Sequence, residues 1–114
     1  MIIYGIKNCD TMKKAFTWLN DKGIAYDFFD YKKQQITKAD FDTWLKAYPI
    51  ETIVNTKGTT YKNLSDTDKS KALNPATAFD IISQNQSIIK RPVINNHNQI
   101  TVGFDNSKWE QLFK

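Results

Sequence analysis

Apolar residues open the chain in one short block, Met1 to Ile6, which the polar pair Lys7-Asn8 closes. A run rich in Ile and Tyr suits a short buried strand. From Asp10 the period changes. Met12, Ala15, Phe16 and Leu19 fall at i, i+3, i+4 and i+7, and Gly23 follows as a stop, so the spacing predicts a helix over 10–22. IAYDFFDY, residues 24–31, reads as a second strand. Strand, helix and strand of these lengths imply a parallel pair joined by a right-handed crossover.

Thr37-Lys38-Ala39-Asp40 resembles a capping box with Asp in place of Glu, and Phe41, Trp44, Leu45 and Tyr48 carry an apolar stripe up to Pro49. IETIVN (50–55) reads as a helical turn, TKGTTY (56–61) as a loop, and SDTDKSKALN (65–74) as a weaker helix capped by Ser65 or Asp66. Asn74-Pro75 reads as a cap with proline at the first helical position, opening a helix with Phe79, Ile81 and Ile82. SIIKRPVI (87–94) and QITVG (99–103) flank the turn-rich NNHN and predict an antiparallel hairpin. SKWEQLFK (107–114) predicts a closing helix with Trp109, Leu112 and Phe113 on one side. The order predicts an α/β sandwich with a four-stranded mixed sheet. It forms one domain over 1–114, with a helical stretch of about 36–85 between its β-α-β and β-β-α halves.

A chain of 114 residues that is 40% hydrophobic can build one core and is too short for two ordinary ones. No apolar run approaches the length of a membrane span, and no export signal opens the sequence. A cytoplasmic monomer without membrane contacts is therefore expected. The net charge of +4 is spread from Lys7 to Lys114 without a dense stripe, which reads as a solvated surface rather than a nucleic-acid site. One cysteine excludes an intrachain disulfide. One Cys and one His, the latter (His97) in the NNHN turn, make no metal cluster, and no phosphate-binding loop is present. No tightly bound cofactor is expected. Of sixteen cations fifteen are Lys, and the single arginine, Arg91, stands directly before Pro92.

Cys9 falls at the turn between the first strand and the first helix. Unpaired N–H groups and the positive end of the helix dipole stabilise an anion there, and a thiolate is such an anion. Lys7, Lys13 and Lys14 add positive charge, and Thr11 can offer its hydroxyl or N–H to the sulfur. Asp10 acts in the opposite sense, so the sign of the net pKa shift stays open. A lone cysteine is commonly a small buried hydrophobe. The polar flanks Lys7, Asn8, Asp10 and Thr11 argue against that reading here. Arg91-Pro92 can form a cis peptide that exposes the preceding backbone, with Arg91 as a forked donor to a thiolate or oxyanion; a surface arginine is the other reading. Lys57, in a glycine-containing loop, either approaches the site or is an exposed loop lysine.

YGIKNCDTMKKA, NTKGTTYKNL, IIKRPVI and TVGFDNSKWEQLF together resemble the arsenate reductase (ArsC) family, in its YffB/Spx-like branch, over essentially the whole chain. The resemblance implies a thioredoxin-like fold, with Cys9 as the nucleophile and Arg91 before a cis proline, Pro92. Asn8, Thr11, Lys13 and Lys57 are the accompanying candidates for substrate binding. Two departures qualify what carries over. Asn55 stands where arsenate-reducing members bring an arginine, and VGFDN offers none for another. Met12 occupies the second position of the Spx-type Cys-x-x-Cys. The expected activity is a glutathione-linked thiol reductase with glutathione as co-substrate. The alternative is an Spx-like regulator that binds RNA polymerase through residues 36–58 of the helical stretch, and arsenate reduction ranks third.

Overall fold

In the computed structural model, which describes residues 1–113, the order is β1 (Ile2–Gly5), α1 (Asp10–Asp21), β2 (Asp27–Asp30), α2 (Lys38–Ala47), α3 (Ile50–Ile53), α4 (Thr59–Lys62), α5 (Asp66–Ala72), α6 (Ala78–Gln84), a 3-10 turn (Gln86–Ile88), β3 (Val93–Asn96), β4 (Gln99–Val102) and α7 (Asn106–Leu112). The sheet order is β2-β1-β3-β4. β1 runs parallel to β2 and antiparallel to β3, and β3 pairs antiparallel with β4. This is the mixed four-stranded sheet of a thioredoxin-like fold.

Alternation along the strands splits the core into two layers. Ile3 and its cross-strand partner Ile94 face Met12, Ala15, Leu19 and Trp109, under α1 and α7. Tyr4 and its partner Val93 face the other way, against Phe41, Trp44, Ile53 and Ile82 of the helical stretch and against Ile89. The stripe read in α1 is thus the face buried on the sheet: Met12, Ala15 and Leu19 are fully buried, with Phe16 at the margin. Thr37 caps α2 through the N–H of Asp40, and Ser65 caps α5 through that of Asp68, which satisfies helix-end donors that would otherwise lack partners.

Several expectations are corrected. The strand expected from residue 24 begins at Asp27. Thr59–Lys62 is a helical turn inside the expected loop. Asn74 does not cap α6: its Oδ1 accepts the Ala76 N–H and its carbonyl the Thr77 and Ala78 N–H groups, so 74–77 is a turn and the helix starts at Ala78. Asn side chains commonly bond their own backbone two residues on in this way. Residues 87–91 are a 3-10 turn and an extended link in which Ile89 makes an isolated antiparallel bridge to Val54, and pairing within the sheet starts only at Val93. Pro92 brings no N–H to a ladder, and Ile88 and Lys90 are instead bound to the helical stretch, through Asn55 N to Ile88 O and Lys90 N to Ile53 O, both 2.7 Å. The hairpin tightens to His97-Asn98, both at positive φ, so Asn95 and Asn96 are strand residues. α7 opens at Asn106 under an Asp105 cap; the expected end at Lys114 lies outside the described residues.

Candidate functional site

The end of β1 turns through Lys7 and Asn8 into Cys9, which takes an extended conformation (φ −119°, ψ 135°) as the N-cap of α1. Ordinarily a Ser, Thr, Asp or Asn side chain stands there. The thiol makes no full capping hydrogen bond, but the Thr11 and Met12 N–H groups lie close enough to favour its anion. Gly5 makes this approach possible. A Cβ at Gly5 would lie against Met12 Sδ and 2.5 Å from its Cε; without one, Met12 seats the first turn of α1 on β1 and thereby places Cys9.

Arg91 comes from the opposite end of the chain. Its peptide bond to Pro92 is cis, and its Nε donates to Cys9 Sγ at 3.3 Å while Nη1 donates to the Ser87 carbonyl at 3.2 Å. Two of the five guanidinium N–H donors are thus used, and the fork keeps capacity for an anionic ligand. Burial pushes the half-buried Cys9 thiol up, and is the largest single influence on it. The Arg91 hydrogen bond, the Met12 and Thr11 N–H groups and the Arg91 charge together outweigh it, so the thiol pKa lies below its ordinary value. The sign left open by Asp10 is therefore resolved towards the thiolate. Arg91 and the helix N-terminus carry the lowering, in place of the lysines expected to do so.

Behind Arg91 stands a layer that the sequence reading passed over. Gln86 is a buried amide: its Nε2 donates to the Tyr31 and Gln34 carbonyls and its Oε1 accepts the Ile36 N–H. It thereby ties the β2–α2 connection to the turn whose Ser87 carbonyl receives Arg91. Tyr31 donates its hydroxyl to the Lys90 carbonyl at 3.4 Å. Burial foremost, then neighbouring Tyr4, raises the Tyr31 pKa well above the usual value, against the Arg91 charge. Tyr4 is pushed up to about 12 by burial and by Asp40, so both tyrosines remain neutral. A buried glutamine has no local sequence signal, since its three partners lie some fifty residues away.

The structure gathers Cys9, Arg91, Thr11 and buried Pro92 in one place and leaves Asn8 and Lys13 exposed beside them, on the wall of an adjoining groove of about 650 Å³. Lys57 is exposed, in a loop that Asn55 N–H ties to the Ile88 carbonyl and Thr60 Oγ1 to Ser87 Oγ, and among the described residues its side chain makes no hydrogen bond or ion pair. Asn55 instead closes its own loop, Oδ1 accepting the Lys57 N–H at 3.2 Å. His97 is exposed at the hairpin tip, remote in the fold from Cys9. No group of three or more His, Cys, Asp or Glu side chains able to hold a metal occurs among the described residues, and no helix of the described chain is long and apolar enough to cross a membrane.

A thioredoxin-like domain with its thiol at the N-terminus of α1, bonded to the arginine of a cis Arg-Pro step that leads into the neighbouring strand β3, defines the class. The chain belongs to the ArsC family, whose model matches residues 4–112. It is similar to the solved structure of a protein called YFFB, with 37% identity, 99% and 98% of the two chains covered and a TM-score of 0.90. It is also similar to an arsenate reductase (ArsC) related protein of Brucella melitensis, with 42% identity over 99% and 93% of the chains and a TM-score of 0.73. An uncharacterized protein of Haemophilus influenzae is 32% identical, covering 97% of this chain and 96% of its own. More distantly, the global transcriptional regulator Spx of Staphylococcus saprophyticus is 28% identical over 86% of this chain and 75% of its own.

Proposed function

We propose that the protein is a glutathione-linked thiol reductase in which Cys9 is the single nucleophile. The observation that carries this reading is the guanidinium of Arg91 bonded to the sulfur on one side and the α1 backbone N–H groups on the other, an arrangement that shifts the thiol towards its thiolate. The Cys9 thiolate attacks the glutathione sulfur of a mixed disulfide. A Cys9–glutathione S–S bond forms, the substrate's S–S bond breaks, and the substrate thiolate departs with the electron pair and takes a proton from solvent. No second cysteine can resolve the adduct. A second glutathione thiolate therefore attacks it, releasing oxidised glutathione and restoring the Cys9 thiolate. Arg91 stabilises the anion at each exchange and offers its remaining donors to a glutathione carboxylate.

Intact-mass measurement after exposure to oxidised glutathione tests this reading. One glutathione per chain, absent in Cys9→Ser, is expected; a thiol that stays free would refute it. A regulatory role is the second reading, supported by the Spx relatives. In it α2 and the segment to Lys57 would be the polymerase-binding surface, without redox control because Met12 replaces the second cysteine. Recovery of RNA polymerase from lysate by both wild type and Cys9→Ser would favour it. Arsenate reduction is the weakest reading, because one guanidinium faces what would be a highly charged oxyanion.

A further inference from the structure

The groove of about 650 Å³ that begins at Asn8, next to Cys9 in the chain, is not used by the thiol chemistry described above. Its floor is aromatic. Phe16 stacks on Tyr26 with centroids 5.5 Å apart and meets Phe28 edge-on at 5.1 Å, so three half-buried rings form a fixed apolar surface between α1 and β2. Its rim is basic: Lys7, Lys13 and Lys33 line it, and all three are exposed. The one carboxylate in the lining, Asp30, is buried and accepts the Lys32 N–H at 2.9 Å, so the exposed charges of the lining are the three lysines. β2 is moreover an edge strand, paired with β1 alone among the described residues, and an edge strand presents unpaired backbone groups suited to an extended polypeptide.

Aromatic floor, cationic rim and free strand edge beside the nucleophile are the complement of an acidic polypeptide carrying a large apolar side chain. We infer that the groove binds the protein half of the substrate: an extended acidic segment, with an aromatic residue on the floor, that presents a glutathionylated cysteine to Cys9. This inference rests on the reductase reading and names its substrate class. In the first exchange the glutathione passes to Cys9, and the peptide cysteine leaves into the groove as the thiolate, held near Lys7 and Lys13 until it is protonated by solvent.

The test uses three synthetic peptides glutathionylated at one cysteine. One carries a phenylalanine and flanking aspartates, one has lysines for the aspartates, and one has alanine for the phenylalanine. Single-turnover transfer of glutathione to Cys9 is expressed relative to attack on a neutral low-molecular-weight disulfide, so that changes in thiol reactivity cancel. The acidic aromatic peptide should react about tenfold faster than its lysine counterpart at low salt. That preference should shrink at high salt and collapse towards unity in a Lys7→Glu/Lys33→Glu variant. The alanine peptide should lose several-fold. Equal rates for the three peptides, or a preference untouched by the double charge reversal, overturn the groove assignment while leaving the reductase reading intact. If no probe, the neutral one included, forms a mixed disulfide with Cys9, both fall together.

Discussion

Replacing Gly5 by alanine should act on the thiol through one buried contact. The added methyl would occupy space now held by the thioether of Met12, with Met12 Cε at 2.5 Å, more than 1 Å inside an ordinary carbon contact. Met12 has no exposure and is enclosed by Ile3, Ala15, Leu19, Ile94 and Trp109. It can move only by disturbing that layer or by lifting the first turn of α1. Overpacking of this kind costs about 1–3 kcal/mol, while alanine in a strand otherwise gains about 0.5–1 kcal/mol over glycine. Gly5→Ala should therefore destabilise by about 1–2 kcal/mol in urea and slow alkylation of Cys9, whose N-cap geometry depends on that turn. Met12→Ala alone should cost about 2–5 kcal/mol through the cavity it leaves. In its background Gly5→Ala should be neutral or stabilising, a strongly non-additive cycle. Additive energies, or Gly5→Ala without effect on either stability or alkylation, would show that the Gly5–Met12 contact does not set the helix.

Alkylation of Cys9 against pH should inflect below the ordinary thiol range, and Arg91→Met should move the inflection upward with Arg91→Lys intermediate, since lysine keeps the charge and loses the planar fork. Because the folded thiol pKa is depressed, the thiolate's contribution to stability is fully present above the unfolded pKa of about 8.5 and is lost as pH falls through the folded value. The stability difference between wild type and Cys9→Ser should accordingly rise with pH across that window and then level off. Gln86→Leu leaves the Ile36 N–H and two carbonyls without their partner and should cost about 2–4 kcal/mol in chemical denaturation; a cost under 1 kcal/mol would mean that water replaces the amide. Asp105→Ala removes the α7 cap, whose carboxylate accepts the Lys108 N–H at 3.1 Å, and should lower stability by about 1 kcal/mol, read as a drop in melting temperature.

Periodicity made the helices that pack on the sheet legible. α1 and α2 each carry a complete apolar stripe, and Thr37-x-x-Asp40 marks a start that the structure uses. It failed where local rules conflict with distant partners. Ile88 and Ile89 look like strand residues, yet the chain there is held by Ile53 and Asn55 of the helical stretch, a tie that no local pattern encodes. Asn74-Pro75 fits a helix start equally well as the turn it forms, and the choice falls to the Asn74 side chain. Of the site, Cys9 was visible from its position between two periods. Arg91 lies 82 residues away; its place before Pro92 made it a candidate donor to the thiolate, and the resemblance to a family tied it to Cys9. Gly5, Gln86 and Tyr31 were missed because each acts through packing or a buried hydrogen bond set by topology. The groove was missed because its walls come from α1 and β2 and from the turns that follow β1 and β2.

The central claim is that Cys9 alone performs the exchange and that glutathione resolves it. Steady-state reduction of a glutathione mixed disulfide, followed through NADPH consumption by glutathione reductase, tests this most directly. The account predicts turnover that requires free glutathione and disappears in Cys9→Ser, with the Cys9–glutathione adduct as the form that accumulates when glutathione is withheld. Turnover that survives in Cys9→Ser, or an adduct that forms in the wild type but is not discharged by glutathione, would contradict it.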